Sequence, residues 1–202
     1  MSTQRPSSWR FAAIVYCPSD DVSAALALTV GHVRRTGLRI GGLMQRFGAQ
    51  VAPGKREMLV EVLHSGEAIR LHDPRGRGVQ GCILDADGLS RAAVAFRTAT
   101  MARPDLLLAS RFGKEEANGG GMRAEIAEAL LSGVPVLVPV RTDHFGEWQR
   151  LVGGPAEVLA PEPRAILEWV DRHCRRDAAE SPPFLPRQRP ATQVLPLGLT
   201  PI

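Results

Sequence analysis

The amino-acid sequence predicts a doubly wound α/β domain, built on a mostly parallel sheet with an antiparallel hairpin inserted into it. Three observations carry that expectation. Short apolar runs, Phe11 to Tyr16, Asp105 to Ser110 and Pro135 to Val140, have the length and continuity of strands buried on both faces. They alternate with segments of helical apolar spacing, the order that parallel crossover units require. The chain has 202 residues, 44% hydrophobic and 23% charged, which is enough for one well-buried core and short for two.

The elements follow in order. The run Phe11 to Tyr16 is bounded by Cys17-Pro18-Ser19, and Ser19 or Asp20 is placed to cap a helix in which Val22, Leu26, Val30 and Val33 share one side. Arg34 and Arg35 fall in its last turn and Gly37 stops it. Leu38 to Met44 reads as a second strand, paired in parallel with the first. Glu57 to Leu63 and Ala68 to Leu71 flank His64-Ser65-Gly66-Glu67, a connection short enough for an antiparallel hairpin. A loop from Asp73 to Gly81 leads to a helix from Asp87 to Arg103, with Leu89, Ala93, Phe96 and Thr100 along one side. The strand Asp105 to Ser110 runs into Arg111-Phe112-Gly113-Lys114-Glu115-Glu116-Ala117-Asn118-Gly119-Gly120-Gly121. A helix from Met122 to Leu131, a strand from Pro135 to Val140, helices over Phe145 to Leu151 and Pro163 to Arg175, and a short strand near Val158 complete a domain at 1–176. Beyond it, Pro182, Pro183, Pro186, Pro190, Pro196 and Pro201 interrupt a segment without periodicity, expected to be a flexible or loosely docked tail at 177–202.

Charge and cysteine usage narrow the function classes. The formal net charge is +4, and lysine occurs only at Lys55 and Lys114, so arginine supplies nearly all the positive charge. Scattered arginines and an aromatic fraction of 5% argue against a nucleic-acid face. Cys17, Cys82 and Cys174 are odd in number and far apart, which fits neither a disulfide framework nor a zinc pattern. No stretch reaches the roughly 18 apolar residues of a membrane span, and no secretory segment follows Arg10, so a cytoplasmic protein is expected. No cofactor is assigned, no cluster has metal-ligand spacing, and an oligomer stays open.

Ligands of a doubly wound sheet bind at the carboxyl ends of its strands. The first such turn, Pro18-Ser19-Asp20-Asp21-Val22-Ser23, has no glycine or lysine, so it cannot cradle phosphates as a P-loop does. Asp20 and Asp21 read either as caps or as holders of Mg²⁺. Gly76-Arg77-Gly78-Val79-Gln80-Gly81 matches G-x-G-x-x-G, but outside the opening crossover unit where a dinucleotide fingerprint belongs. Its functional reading is that Arg75 and Arg77 close over an anion. Arg111 and Lys114 place two cations directly after a buried strand, and Gly119 and Gly121 lead into a helix N-terminus suited to anions. His144, after the strand ending at Val140, is a further candidate acid, base or ligand.

At these residues the chain resembles a known family. The pattern Asp105-Leu106-Leu107 followed by Phe112-Gly113-Lys114, Glu116-Ala117, Gly119 and Gly121 resembles the bacterial DUF2478 family. So do Gly37 to Gln45, Gly81-Cys82 with Leu84-Asp85, Ile126 to Leu130 and Val134 to Leu137, the likeness running from Phe11 to Trp169. The resemblance implies a P-loop-NTPase-like fold without a Walker A loop, distantly similar to the THEP1-type nucleoside-triphosphatases, and a link to molybdate transport. It sets Asp105 at the start of the strand comparable to Walker B, with Gly113 and Glu116 at the comparable turn; no carboxylate stands at Ala109-Ser110-Arg111.

The expected function is non-hydrolytic binding of an oxyanion, with molybdate the named candidate, or of a nucleotide phosphate. Arg111 and Lys114 would supply charge, and Glu116 would orient Lys114 or a water. One alternative is an atypical nucleoside-triphosphatase or phosphotransferase with Glu116 as catalytic base. Another is an interaction module for molybdenum transport or cofactor proteins, docking through the Pro-rich tail.

Overall fold

The computed structural model describes residues 10–52, 55–71, 85–154 and 156–174. Arg75, Arg77 and the tail from Asp177 lie outside the described residues.

Among the described residues seven strands form one sheet: β1 (Phe11–Tyr16), β2 (Ile40–Ala52), β3 (Lys55–Val62), β4 (Ala68–Arg70), β5 (Leu106–Leu108), β6 (Val136–Arg141) and β7 (Glu157–Leu159). Their order is β4-β3-β2-β5-β6-β1-β7. The five strands from β2 to β7 pair in parallel, and the β2–β3 and β3–β4 pairs are antiparallel. The chain thus has a mixed α/β fold with a mostly parallel sheet and an antiparallel part, consistent with a P-loop-like arrangement.

Helices cover both faces because the central strands are apolar on both sides. In β1, Phe11 and Ala13 pack with α2 (Ala86–Met101), α4 (Arg123–Leu131) and α5 (Phe145–Val152). The alternate residues Ala12 and Ile14 pack with α1 (Val22–Arg35) and α6 (Pro163–His173). Trp148 of α5 is fully buried, with its ring edge-on to Phe11 (centroids 6.2 Å apart) and to Phe112 (5.5 Å). Burial also pushes the Cys174 thiol up to about 12, so this cysteine stays protonated at neutral pH.

Four expectations are corrected in detail. Strands β1 and β2 run parallel, but β5 and β6 lie between them, so they are not paired. Strand β2 runs on to Ala52 rather than ending at Met44; its outer half pairs only with β3, and exposed polar residues such as Arg46 and Gln50 are tolerated there. On α2 the buried side is Gly88, Ala92, Phe96 and Ala99; Phe96 is as expected, and the other three each stand one residue before the expected Leu89, Ala93 and Thr100. Strand β5 is only Leu106–Leu108, and the interruption after it matters for the site.

That interruption is a bulge. Residue Leu108 pairs with Leu137, and the next bridge joins Phe112 to Val140, so four residues of one chain span three of its neighbour. The hydrogen bonds agree: Leu107 donates to the carbonyl of Pro135 and Ala109 to that of Leu137, but Phe112, not Arg111, donates to that of Pro139. Ser110 and Arg111 therefore leave the ladder. Phe112, with no exposed surface, anchors the far side in the core.

Candidate functional site

Beyond the carboxyl ends of the parallel strands lie two adjoining clefts. The larger, about 260 Å³, is lined by Tyr16, Asp20, Ser23, Phe47, Pro139 and Arg141, among others. The smaller, about 140 Å³, is lined by Met58, Leu71, Leu89, Met122, Lys114 and Glu116, among others. Gln45, Ser110 and Arg111 line both. The exits of the first and fifth strands thus open on one crevice, with the bulge at its centre.

Past the bulge, the chain folds into a single helical turn, α3 (Lys114–Ala117), and reaches α4 through three glycines. Glu116 fastens this segment. Its Oε2 accepts the Gly113 N–H at 2.9 Å and its Oε1 accepts the Met122 N–H at 3.1 Å, while its carbonyl accepts from Arg123 Nη1 at 3.0 Å. Gly121 makes the geometry feasible. Its φ is +57°, and a Cβ there would stand 2.3 Å from Glu116 Oε1. Both carboxylate oxygens of Glu116 are thus committed to backbone donors, one of them the Met122 N–H at the start of α4. Lys114 and Arg111 have no ion pair among the described residues.

The acidic turn after β1 is closed in the same manner. Asp20 Oδ2 accepts the Cys17 N–H at 2.7 Å, and Asp21 Oδ1 accepts the Ala24 N–H at 3.0 Å as the N-cap of α1. Of the two, Asp20 lines the larger cleft and Asp21 lines neither. Gly121 borders the smaller cleft, whereas Gly119 (φ +91°) shapes the connection without lining either. His144 sits at the N-terminus of α5, outside both clefts. Asp105 is at the amino end of β5, on the opposite edge, where its Oδ2 accepts the Arg39 N–H at 2.6 Å. No group of three metal-ligating side chains occurs among the described residues.

Residues 11–169 match the family model described as "Protein of unknown function (DUF2478)". The chain belongs to the DUF2478 family. A protein from Bradyrhizobium diazoefficiens, described as "Molybdenum import ATP-binding protein ModC 2", is 38% identical over 165 residues. That match covers 79% of this chain and 18% of the relative, so the DUF2478 chain spans less than a fifth of it. No solved structure matches the chain.

The sequence places the segment Arg141 to Gly146 on this rim but assigns no role to Arg141 or to Gln45, and both line the crevice. Arg141, the last residue of β6, reaches the larger cleft with its side chain 35% exposed and its tip paired to Asp143. Its Nε is buried without a partner among the described residues. Gln45 Nε2, between the two clefts, is buried and unmatched as well. A buried donor left unmade costs about 1–3 kcal/mol; the third such donor among the described residues, Trp148 Nε1, belongs to a side chain that lines neither cleft. The signal for Arg141 was present, since a cation directly after a buried strand is the feature that singled out Arg111. Gln45 was hidden because the strand carrying it runs past its apolar part.

Proposed function

We propose that the chain binds a tetrahedral oxyanion, molybdate or the phosphate of a nucleotide, without hydrolysing it. The observation that carries this reading is the convergence of Arg111 and Arg141 from adjacent strands on one cleft, with Arg141 Nε and Gln45 Nε2 buried and unmatched there. Guanidinium groups present planar forks of N–H donors, and charge-assisted bonds to an oxyanion are about twice as strong as neutral ones. Tyr16, Ser23 and Ser110 add hydroxyls around the same space. Size favours a small group: ligand clefts for drug-sized molecules run from about 300 to 1,000 Å³, above the 260 Å³ found here. The likeness to a molybdenum import ATP-binding protein favours molybdate among oxyanions, and an association with molybdenum transport or cofactor proteins rests on the same likeness. A hydrolytic role has less support, because Glu116, Asp20 and Asp21 each spend carboxylate oxygens on backbone N–H groups.

Titration calorimetry of the full chain with molybdate, sulfate, phosphate and ATP tests the reading. Saturable binding of at least one is expected, weakened ten- to a hundredfold by Arg111→Ala and by Arg141→Ala, as loss of a charge-assisted bond worth about 1.5–3 kcal/mol implies. Absence of saturable binding by all four at modest salt would remove it.

A further inference from the structure

The smaller cleft differs in chemistry from its neighbour. Met58 of β3, Leu71 after β4, Leu89 of α2 and Met122 at the start of α4 come from four parts of the fold and turn apolar surface toward it. Leu71 and Met122 are 8% and 6% exposed, so the wall is part of the core rather than loose surface. Nothing about an inorganic anion requires such a wall, since apolar surface gains nothing from a hydrated ion. Yet the two clefts share Gln45, Ser110 and Arg111, and Gln45 Nε2 is buried with no partner among the described residues.

We infer that the two clefts are halves of one site, whose ligand is a monoester of a tetrahedral oxyanion carrying a single flat ring. The inference rests on the oxyanion reading above and adds the body to which the anion is attached. The charged group sits between Arg111 and Arg141, the ring enters the apolar cleft, and the Gln45 amide donates to the ester oxygen linking them. Volume sets the size of the body: a cavity of about 150 Å³ lined by aliphatic side chains accommodates benzene, and this cleft measures about 140 Å³. The sulfurs of Met58 and Met122 suit an aromatic edge, because polarizable thioethers make favourable contacts with rings. Lys114, on the same cleft, is placed to meet a polar substituent of the ring.

Phenyl phosphate, inorganic phosphate and phenol, each titrated into the full chain, test this. Phenyl phosphate is expected to bind at least tenfold more tightly than phosphate, since burying one ring is worth about what burying a phenylalanine side chain is, while phenol alone shows no saturable binding. In Leu89→Asn, and separately in Met58→Gln, which add polarity without charge, the ratio of phenyl phosphate to phosphate affinity should fall toward one. The wild-type comparison decides even where a variant folds poorly. Phosphate binding with no gain for phenyl phosphate would overturn the two-part site and leave the oxyanion reading standing. Failure of both to bind, together with the other anions, would overturn both.

Discussion

Two turns flank the exit of β6 at the carboxyl edge of the sheet, and they treat charge in opposite ways. The turn after β1 carries two carboxylates, both folded back on their own backbone: Asp20 on Cys17 and Asp21 on Ala24. The turn after β5 carries carboxylates and cations together. There Glu116 alone folds back, closing Gly113 to Met122, while Arg111 and Lys114 are left facing the clefts. Local capping commits the carboxylate oxygens of Asp20, Asp21 and Glu116, because short acidic side chains reach nearby N–H donors easily. It leaves Glu115 alone among the carboxylates of these turns without a cap, on the smaller cleft. Long basic side chains have no such local acceptor. A sequence with near-balanced charges in these loops thereby yields a crevice whose uncommitted groups are mostly basic.

The sharpest way to break this comparison is to unfasten the second turn. Gly121→Ala forces a side chain into the left-handed region at φ +57° and onto Glu116 Oε1. A loss of about 2 kcal/mol is expected, lowering Tm by about 4–8 °C for a domain of this size. An unchanged Tm would show that Glu116 does not hold the turn. A milder change separates fastening from chemistry. Glu116→Gln keeps one acceptor of two, so a loss of about 1 kcal/mol is expected, read as a lower urea midpoint at unchanged slope. Oxyanion affinity should stay within about threefold, because no protein–ligand bond is removed. Should the wild type release phosphate from ATP and this variant not, Glu116 would be a catalytic base after all.

The difference between the turns also explains which parts of the sequence were readable. The parallel core was legible because strands such as Phe11–Tyr16 and Val136–Arg141 are apolar on both faces and helices such as Val22–Arg35 keep a regular stripe. Arg111, Lys114 and Gly121 were legible as a cluster, since they follow a buried strand without a gap. The bulge that turns Arg111 out of the ladder was not. It depends on register against β6, which is a relation between strands and leaves no trace in either one. Pairing order was hidden for the same reason: β1 and β2 are consecutive, yet two later strands separate them. Gln45 belongs to an outer stretch of β2 that the apolar pattern had already abandoned.

The finest test lies in the first turn, where two adjacent aspartates should respond differently. Asp21→Ala removes the N-cap of α1 and should cost about 1 kcal/mol of stability with oxyanion affinity unchanged, since Asp21 lines neither cleft. Asp20→Asn keeps an amide oxygen to accept the Cys17 N–H but removes a negative charge from the wall of the larger cleft. Its stability should barely move, while an oxyanion should bind about three- to tenfold more tightly at low salt, the gain shrinking as screening rises. Equal effects from the two substitutions would mean that Asp20 does not face the ligand. A weaker affinity in Asp20→Asn would place a cation, rather than an anion, against that wall.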